Sequence, residues 1–222
     1  MKQKPKKTKQ RTTLVHSGRD KKYRQGAVNI PPYRASTVIF ESLAEFRGWD
    51  VREFRDFVYG RLGSPNSLAL EEAYSELSGA YRSVATNSGM SAINIAASAF
   101  LNQGDHILVT EGSYEPAGLF FTNHLAPFGV EVEFFSPIIG EEIAAKLKPS
   151  TRVVYLEAPS TTTFEIHDIE LLVRIVREKS SQMGTNITIV LDNTWAGPLF
   201  FRPLEHGIDV EVQSATKYIV GH

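Results

Sequence analysis

Short apolar runs alternate with amphipathic stretches along the second half of the chain. The runs predict strands at His106–Thr110, Val130–Phe135, Arg152–Glu157, Ile187–Leu191 and Asp209–Gln213. Between them, apolar residues at helical spacing predict helices over Glu115–Ala126, Glu141–Leu147 and Asp168–Met183. Upstream, Asn66-Ser67 reads as a cap on a helix from Leu68 to Ser78, ended by Gly79. Arg82–Ala85 reads as a short strand, and Thr86-Asn87-Ser88-Gly89-Met90-Ser91-Ala92 opens an Ala-rich helix reaching about Leu101. Repeated strand–helix units with short apolar strands predict an α/β fold, a mostly parallel sheet with helices on both faces.

Before this region the pattern is weak. From Thr12 to Val58 periodicity is poor, Pro31-Pro32 breaks any helix, and Ser36–Phe40 predicts at most a short extended piece. The reading is an arm that wraps a neighbouring subunit. Ahead of it Lys2, Lys4, Lys6, Lys7, Lys9 and Arg11 form a basic head, read as a solvated disordered tail because like charges repel. The predicted division is a head over 1–12, an arm over 13–62 and an α/β domain over 63–222.

Composition narrows the chemistry. A formal net charge of −1 over 222 residues argues against a general nucleic-acid binder. The chain holds no cysteine, which excludes disulfides, Cys-ligated zinc and a cysteine nucleophile, and fits a reducing, cytoplasmic setting. No apolar stretch follows the basic head, so it reads as neither secretory signal nor membrane span. GxGxxG and the phosphate-loop lysine pattern are both missing, which leaves dinucleotide and ATP readings without support. No metal site is predicted.

The remaining candidates converge on one chemistry. Asp192 stands at the C-terminal mouth of a buried strand, where open α/β sheets place ligands. Lys217 follows Ser214-Ala215-Thr216 just beyond the last predicted strand, an arrangement suited to a covalent amine beside a phosphate. Lysine and carboxylate together suit pyridoxal phosphate, which takes a covalent lysine and an acid on its ring nitrogen. Ser88-Gly89-Met90 sits at a strand–turn–helix start whose free amides and positive dipole end favour phosphate, although a Ser-Gly pair alone is more often only a helix start. Tyr114, beyond the strand ending at Thr110, is placed either to stack on a planar ring or merely to cover a helix start. His167-Asp168 is not read as a catalytic pair, because Asp168 stands where a helix cap belongs.

Asp192-Asn193-Thr194-Trp195-Ala196, with Ser214-Ala215-Thr216-Lys217-Tyr218-Ile219-Val220-Gly221-His222, resembles the Cys/Met-metabolism family of pyridoxal-phosphate enzymes. The order of motifs from about Thr13 onward is most similar to its cystathionine β-lyase branch. The resemblance implies that Lys217 holds the cofactor and then acts as base, that Asp192 partners the ring nitrogen, and that Tyr114 stacks on the ring. It implies that Ser88, Gly89, Met90, Ser214 and Thr216 help bind the cofactor, and that Tyr59 and Arg61 reach the phosphate of a neighbour's cofactor. Ser160–Thr163 and Trp195 favour β- over γ-acting relatives, with Thr161 a candidate for the ring hydroxyl. The implied reaction is β-elimination of cystathionine to homocysteine, pyruvate and ammonia. The alternatives are γ-elimination or γ-replacement on homoserine-derived substrates, or a catalytically silent, cofactor-binding assembly piece. The resemblance also implies a homo-oligomer of active-site-sharing subunits, a dimer or tetramer. Such enzymes continue past the cofactor lysine into a C-terminal domain with the substrate-carboxylate arginine. The expected fold is therefore an incomplete large domain, inactive by itself, with a later antiparallel strand filling the sheet between the last predicted strand and Arg82–Ala85.

Overall fold

The computed structural model describes residues 10–48 and 56–219. Most of the basic head and the terminal Val220-Gly221-His222 of the lysine motif lie outside the described residues. The chain forms two compact units, Met1–Ala85 and Thr86–His222.

Among the described residues the first unit holds the α-helices α1 (Gln10–His16), α2 (Lys21–Arg24), α3 (Leu43–Arg47) and α4 (Pro65–Ser78), with a 3-10 turn at Gly60–Leu62. Residues 10–12, expected in the disordered head, belong to α1. Helix α4 begins three residues before the predicted start, because Ser64 rather than Asn66-Ser67 is its cap and Pro65 opens it. Proline is tolerated there, since that N–H would have no intrahelical partner anyway. The Asn66 side chain is thereby free to tie the arm: it accepts from the Tyr33 amide at 2.8 Å and donates to the Pro31 carbonyl at 3.0 Å. Gly79 ends α4 in the left-handed conformation, as predicted. Arg82–Ala85 is not a strand. No described strand pairs with it, and the Ala85 amide donates instead to the Glu71 carboxylate at 2.8 Å. The extended piece predicted at Ser36–Phe40 reduces to one antiparallel bridge, Thr37 to Tyr59.

The second unit is a five-stranded sheet in the order β2-β1-β3-β4-β5, with every pairing parallel. Its strands are β1 (His106–Thr110), β2 (Glu131–Phe135), β3 (Thr151–Glu157), β4 (Thr188–Asp192) and β5 (Val210–Val212). Five helices follow in order: α5 (Gly89–Ser98), α6 (Glu115–Phe120), α7 (Ile143–Lys146), α8 (Ile169–Met183) and α9 (Gly197–Phe200). Alternation of side chains across each strand splits the core into two layers. Leu108, Val154, Leu156, Ile189 and Leu191 pack with Leu172, Ile175 and Val176 of α8 on one face. Ile107, Val109, Val153, Tyr155 and Val190 pack with Ile93 and Ala97 of α5 and with Phe121 on the other. Each fully buried Leu, Ile or Val contributes about 1.5–3 kcal/mol, so helices on both faces are what hold a fully buried strand such as β1.

Two helices are shorter than their patterns suggest, and a proline lies just beyond the α-helical end of each; the second also starts late, because Gly140–Glu142 form a 3-10 turn. The stretch Glu115–Ala126 is α-helical only to Phe120, then winds into a π turn and a 3-10 turn around Pro127, which has no N–H to donate. Leu147 is already extended ahead of Lys148-Pro149, which stops α7. Helix α8 matches its prediction: Asp168 accepts from the Leu171 amide at 3.0 Å, and Gly184 closes the helix at φ 64°.

Candidate active site

Parallel strands end on one edge of the sheet, and the candidate residues of the second unit follow those ends. Glu157, Asp192 and Val212 are register neighbours at the last positions of β3, β4 and β5. Asp192 is 5 % exposed. Its Oδ1 accepts from the Thr194 amide at 2.9 Å. Burial raises its pKa, while the Thr194 hydrogen bonds and the positive charge of Lys217 pull it back.

Lys217 lies in the turn after β5, where its Nζ donates to Ser214 Oγ at 3.2 Å. The Thr216 hydroxyl stands 3.3 Å from the same oxygen. Thr194 fastens this turn to the end of β4, because its Oγ1 accepts from the Ser214 amide at 2.9 Å. Ser214 in turn packs against Gly89 at the start of α5. There Ser88 caps the helix by accepting from the Ser91 amide at 3.1 Å. The Gly89 and Met90 amides point out of the first turn with no acceptor among the described residues. Asp192, Lys217, Ser214, Thr216, Ser88, Gly89 and Met90 are thus linked through Thr194 and Ser214.

Tyr114 opens α6 after β1 and is 43 % exposed. Its amide donates to Glu157 Oε2 at 2.7 Å. The Thr161 hydroxyl donates to Glu157 Oε1. Burial, and then the nearby Asp192 charge, raise the Glu157 carboxyl to about 7. Trp195 meets Phe164 edge-on with centroids 5.2 Å apart, and Tyr218 lies 6.2 Å beyond it. A groove of about 690 Å³, bordered by Gly112, Phe134 and Thr161–Thr163, opens beside the Glu157–Thr161 pair.

Tyr59 and Arg61 belong to the first unit. There the Arg61 guanidinium lies 5.4 Å from the Tyr59 ring centroid. Gly60 between them presses so closely on the chain that a Cβ would lie 2.6 Å from the Ala35 carbonyl oxygen.

The residues present fit a phosphorylated, cationic planar ring. Open helix amides suit a phosphate, and the buried Asp192 gains from a cation at its oxygens. An amine stands on the adjoining turn. A different grouping, His106 and Glu131 at the opposite strand ends with Glu133 two residues into β2, brings metal-ligand atom types together. Lys146 and Lys148 already neutralise it at 2.7–2.8 Å and hold Glu133 at about 2, so it is a closed ion network. Glu157 and Thr194 were not among the sequence candidates. Glu157 carried a readable signal, a carboxylate ending an apolar strand as Asp192 does; Thr194 carried none, since its role depends on how β5 aligns with β4.

The Cystathionine beta-lyase MetC of Escherichia coli is 40% identical to this chain over 212 residues, covering 95% of the chain and 53% of that protein. The L-methionine gamma-lyase of Fusobacterium nucleatum is 35% identical over 211 residues, covering 95% and 52%. Among solved structures, metB from Corynebacterium glutamicum superposes with a TM-score of 0.86 at 30% identity, covering 97% of this chain and 53% of its own. The chain therefore spans about half the length of the curated relatives it matches. The family model for Cys/Met metabolism PLP-dependent enzymes matches residues 11–222, which is the whole of the sheet and every candidate residue above: the chain belongs to that pyridoxal-phosphate-dependent family.

Proposed function

We propose that this chain carries the cofactor-holding part of a carbon–sulfur lyase that performs β-elimination on cystathionine, yielding homocysteine, pyruvate and ammonia. The observation that carries the reading is the linkage of buried Asp192, the Lys217 turn and the open α5 amides through Thr194 and Ser214. When bound, pyridoxal phosphate supplies a cationic ring that draws electrons from the substrate α-carbon. Lys217 Nζ would hold the cofactor covalently and, as a free amine, would take the substrate α-proton. The electron pair of the broken Cβ–S bond would depart with sulfur, which takes up a proton as homocysteine, and water would hydrolyse the remaining aminoacrylate to pyruvate and ammonia. An ionised Asp192 would face the ring nitrogen and keep the nitrogen's proton in place. Ser88, the Gly89 and Met90 amides, Ser214 and Thr216 would hold the phosphate, and Tyr114 would cover the ring. Tyr59 and Arg61 serve the site of a neighbouring subunit in a dimer or tetramer.

Trp195 and the Ser160–Thr163 hydroxyl run support β- over γ-elimination. A γ-acting second reading is favoured by the methionine gamma-lyase match at 35% identity. No helix among the described residues is long and apolar enough to cross a membrane. The test uses the full-length protein. Borohydride reduction and peptide mapping should place the pyridoxyl group on Lys217, and cystathionine should release pyruvate. Label on another lysine overturns the site, and predominant 2-oxobutyrate overturns the β-assignment in favour of the γ-reading.

A further inference from the structure

We propose that Glu157 is a positioning residue: one buried carboxyl draws together the loops that follow β1 and β3, and so fixes Tyr114 and Thr161 at the cofactor site. The inference rests on the reading above for what the loops serve, while the clasp itself stands on contacts within the protein. From the first loop the Tyr114 amide donates to Oε2 at 2.7 Å. From the second the Thr161 hydroxyl donates to Oε1. Glu157 is 3 % exposed, so water does not compete for these bonds.

The second loop needs such a clasp. Thr162 and Phe164 adopt φ 77° and 59°, left-handed backbone that disfavours side chains other than glycine. The loop is held in that form from both ends. The Ser160 amide donates to the Glu165 carbonyl at 2.8 Å, and the Thr161 amide donates to the Gly112 carbonyl at 2.8 Å. Gly112 packs directly on Ser160, with no room for a Cβ. The first and second loops therefore touch through Gly112, Ser160 and Thr161, and Glu157 serves the junction as acceptor for both. Removing its carboxyl leaves the Tyr114 amide and the Thr161 hydroxyl without their acceptors and lets the strained loop relax. A shift of about 1 Å in a ring-covering side chain is enough to cost roughly 100-fold in rate.

The test measures the clasp with and without the cofactor. In cofactor-stripped full-length protein, Glu157→Ala should speed hydrogen exchange of the Tyr114 amide by at least about 10-fold, and Glu157→Gln, which keeps a carbonyl acceptor, should restore its protection. After reloading with pyridoxal phosphate, the induced circular dichroism of the bound cofactor should weaken in Glu157→Ala and in Thr161→Val, with kcat falling more than KM rises. Thr161→Val added to Glu157→Ala should bring no further loss. Unchanged Tyr114 exchange and unchanged dichroism in a cooperatively melting Glu157→Ala protein would overturn the proposal. If Glu157→Ala does not fold, Thr161→Val decides the matter: wild-type dichroism counts against the clasp, weakened dichroism with intact Tyr114 protection supports it. Loss of pyridoxyl labelling at Lys217 would instead overturn the functional reading and leave the exchange result standing.

Discussion

Gly89 and Ser214 meet so closely that no side chain fits between them: a Cβ on Gly89 would lie 2.7 Å from both Cβ and Oγ of Ser214. Through this contact the N-terminus of α5 is pressed against the turn that carries Lys217. The glycine is required here for approach, not for its dihedral angles.

Gly89→Ala should therefore push α5 and the Ser214 turn apart. Overpacking at a tight contact costs about 1–3 kcal/mol, so cofactor affinity should fall by roughly 10-fold or more, read by titrating the stripped protein. Ser214→Gly in the same chain should recover the melting temperature, because it removes the atoms in conflict. Recovery that fails to appear would show that the contact is not what limits the variant.

Glu157 predicts a pH dependence. Its carboxyl is raised from 4.5 to about 7 by burial and by Asp192, with Tyr155 on the same strand also facing both acids. The folded state thus holds this proton more tightly than the unfolded chain does. Its stabilising contribution is complete below about 4.5 and is lost as pH rises through about 7, a change on the order of 3 kcal/mol. Urea unfolding of the cofactor-free protein across that window should show the decline in wild type and a flatter profile in Glu157→Gln. Asp192, also raised, should leave part of the slope in place.

Asp192→Asn keeps the Oδ1 acceptor for the Thr194 amide but removes a buried charge. The stripped variant should melt at a higher temperature than wild type at neutral pH, because the desolvation that raises the Asp192 pKa no longer acts. Cofactor-dependent turnover should fall by at least about 100-fold, since the ring proton loses its counter-charge. A variant with normal turnover would remove Asp192 from the proposed site.

Mixing full-length Lys217→Ala with full-length Arg61→Ala should restore activity through hybrid oligomers, given the proposed service of Arg61 to a neighbouring subunit. Demonstrated subunit exchange with no recovery would place Arg61 outside a shared site.

Much of the second unit is legible in the residue pattern because β1, β3 and β4 are buried on both faces and so are mostly apolar along their length. His106–Thr110 matches its observed limits for that reason. Asp192 and Lys217 are legible as well, one from its place at a strand end, the other from its flanking hydroxyls. Arg82–Ala85 misleads because a strand is a property of a pair, and its apolar residues say nothing about whether a neighbour is present. The start of α4 is displaced because Asn66-Ser67 competes as a cap with Ser64-Pro65, and it is the proline that marks the first turn. The Thr194–Ser214 bond and the Gly89–Ser214 contact join residues far apart in sequence, which only the strand order β3-β4-β5 and the packing of α5 bring together.

That strand order also has a kinetic side. Parallel neighbours cannot pair through a tight hairpin, so each junction from β1 to β3, β3 to β4 and β4 to β5 closes a long loop before it is rewarded. Ser88 and Lys217 stand near opposite ends of the second unit in sequence, and the cradle between them does not exist until the last of these closures. During refolding, cofactor capture should trail the return of helical circular dichroism, which makes pyridoxal phosphate a late reporter of the completed sheet rather than a nucleus for it.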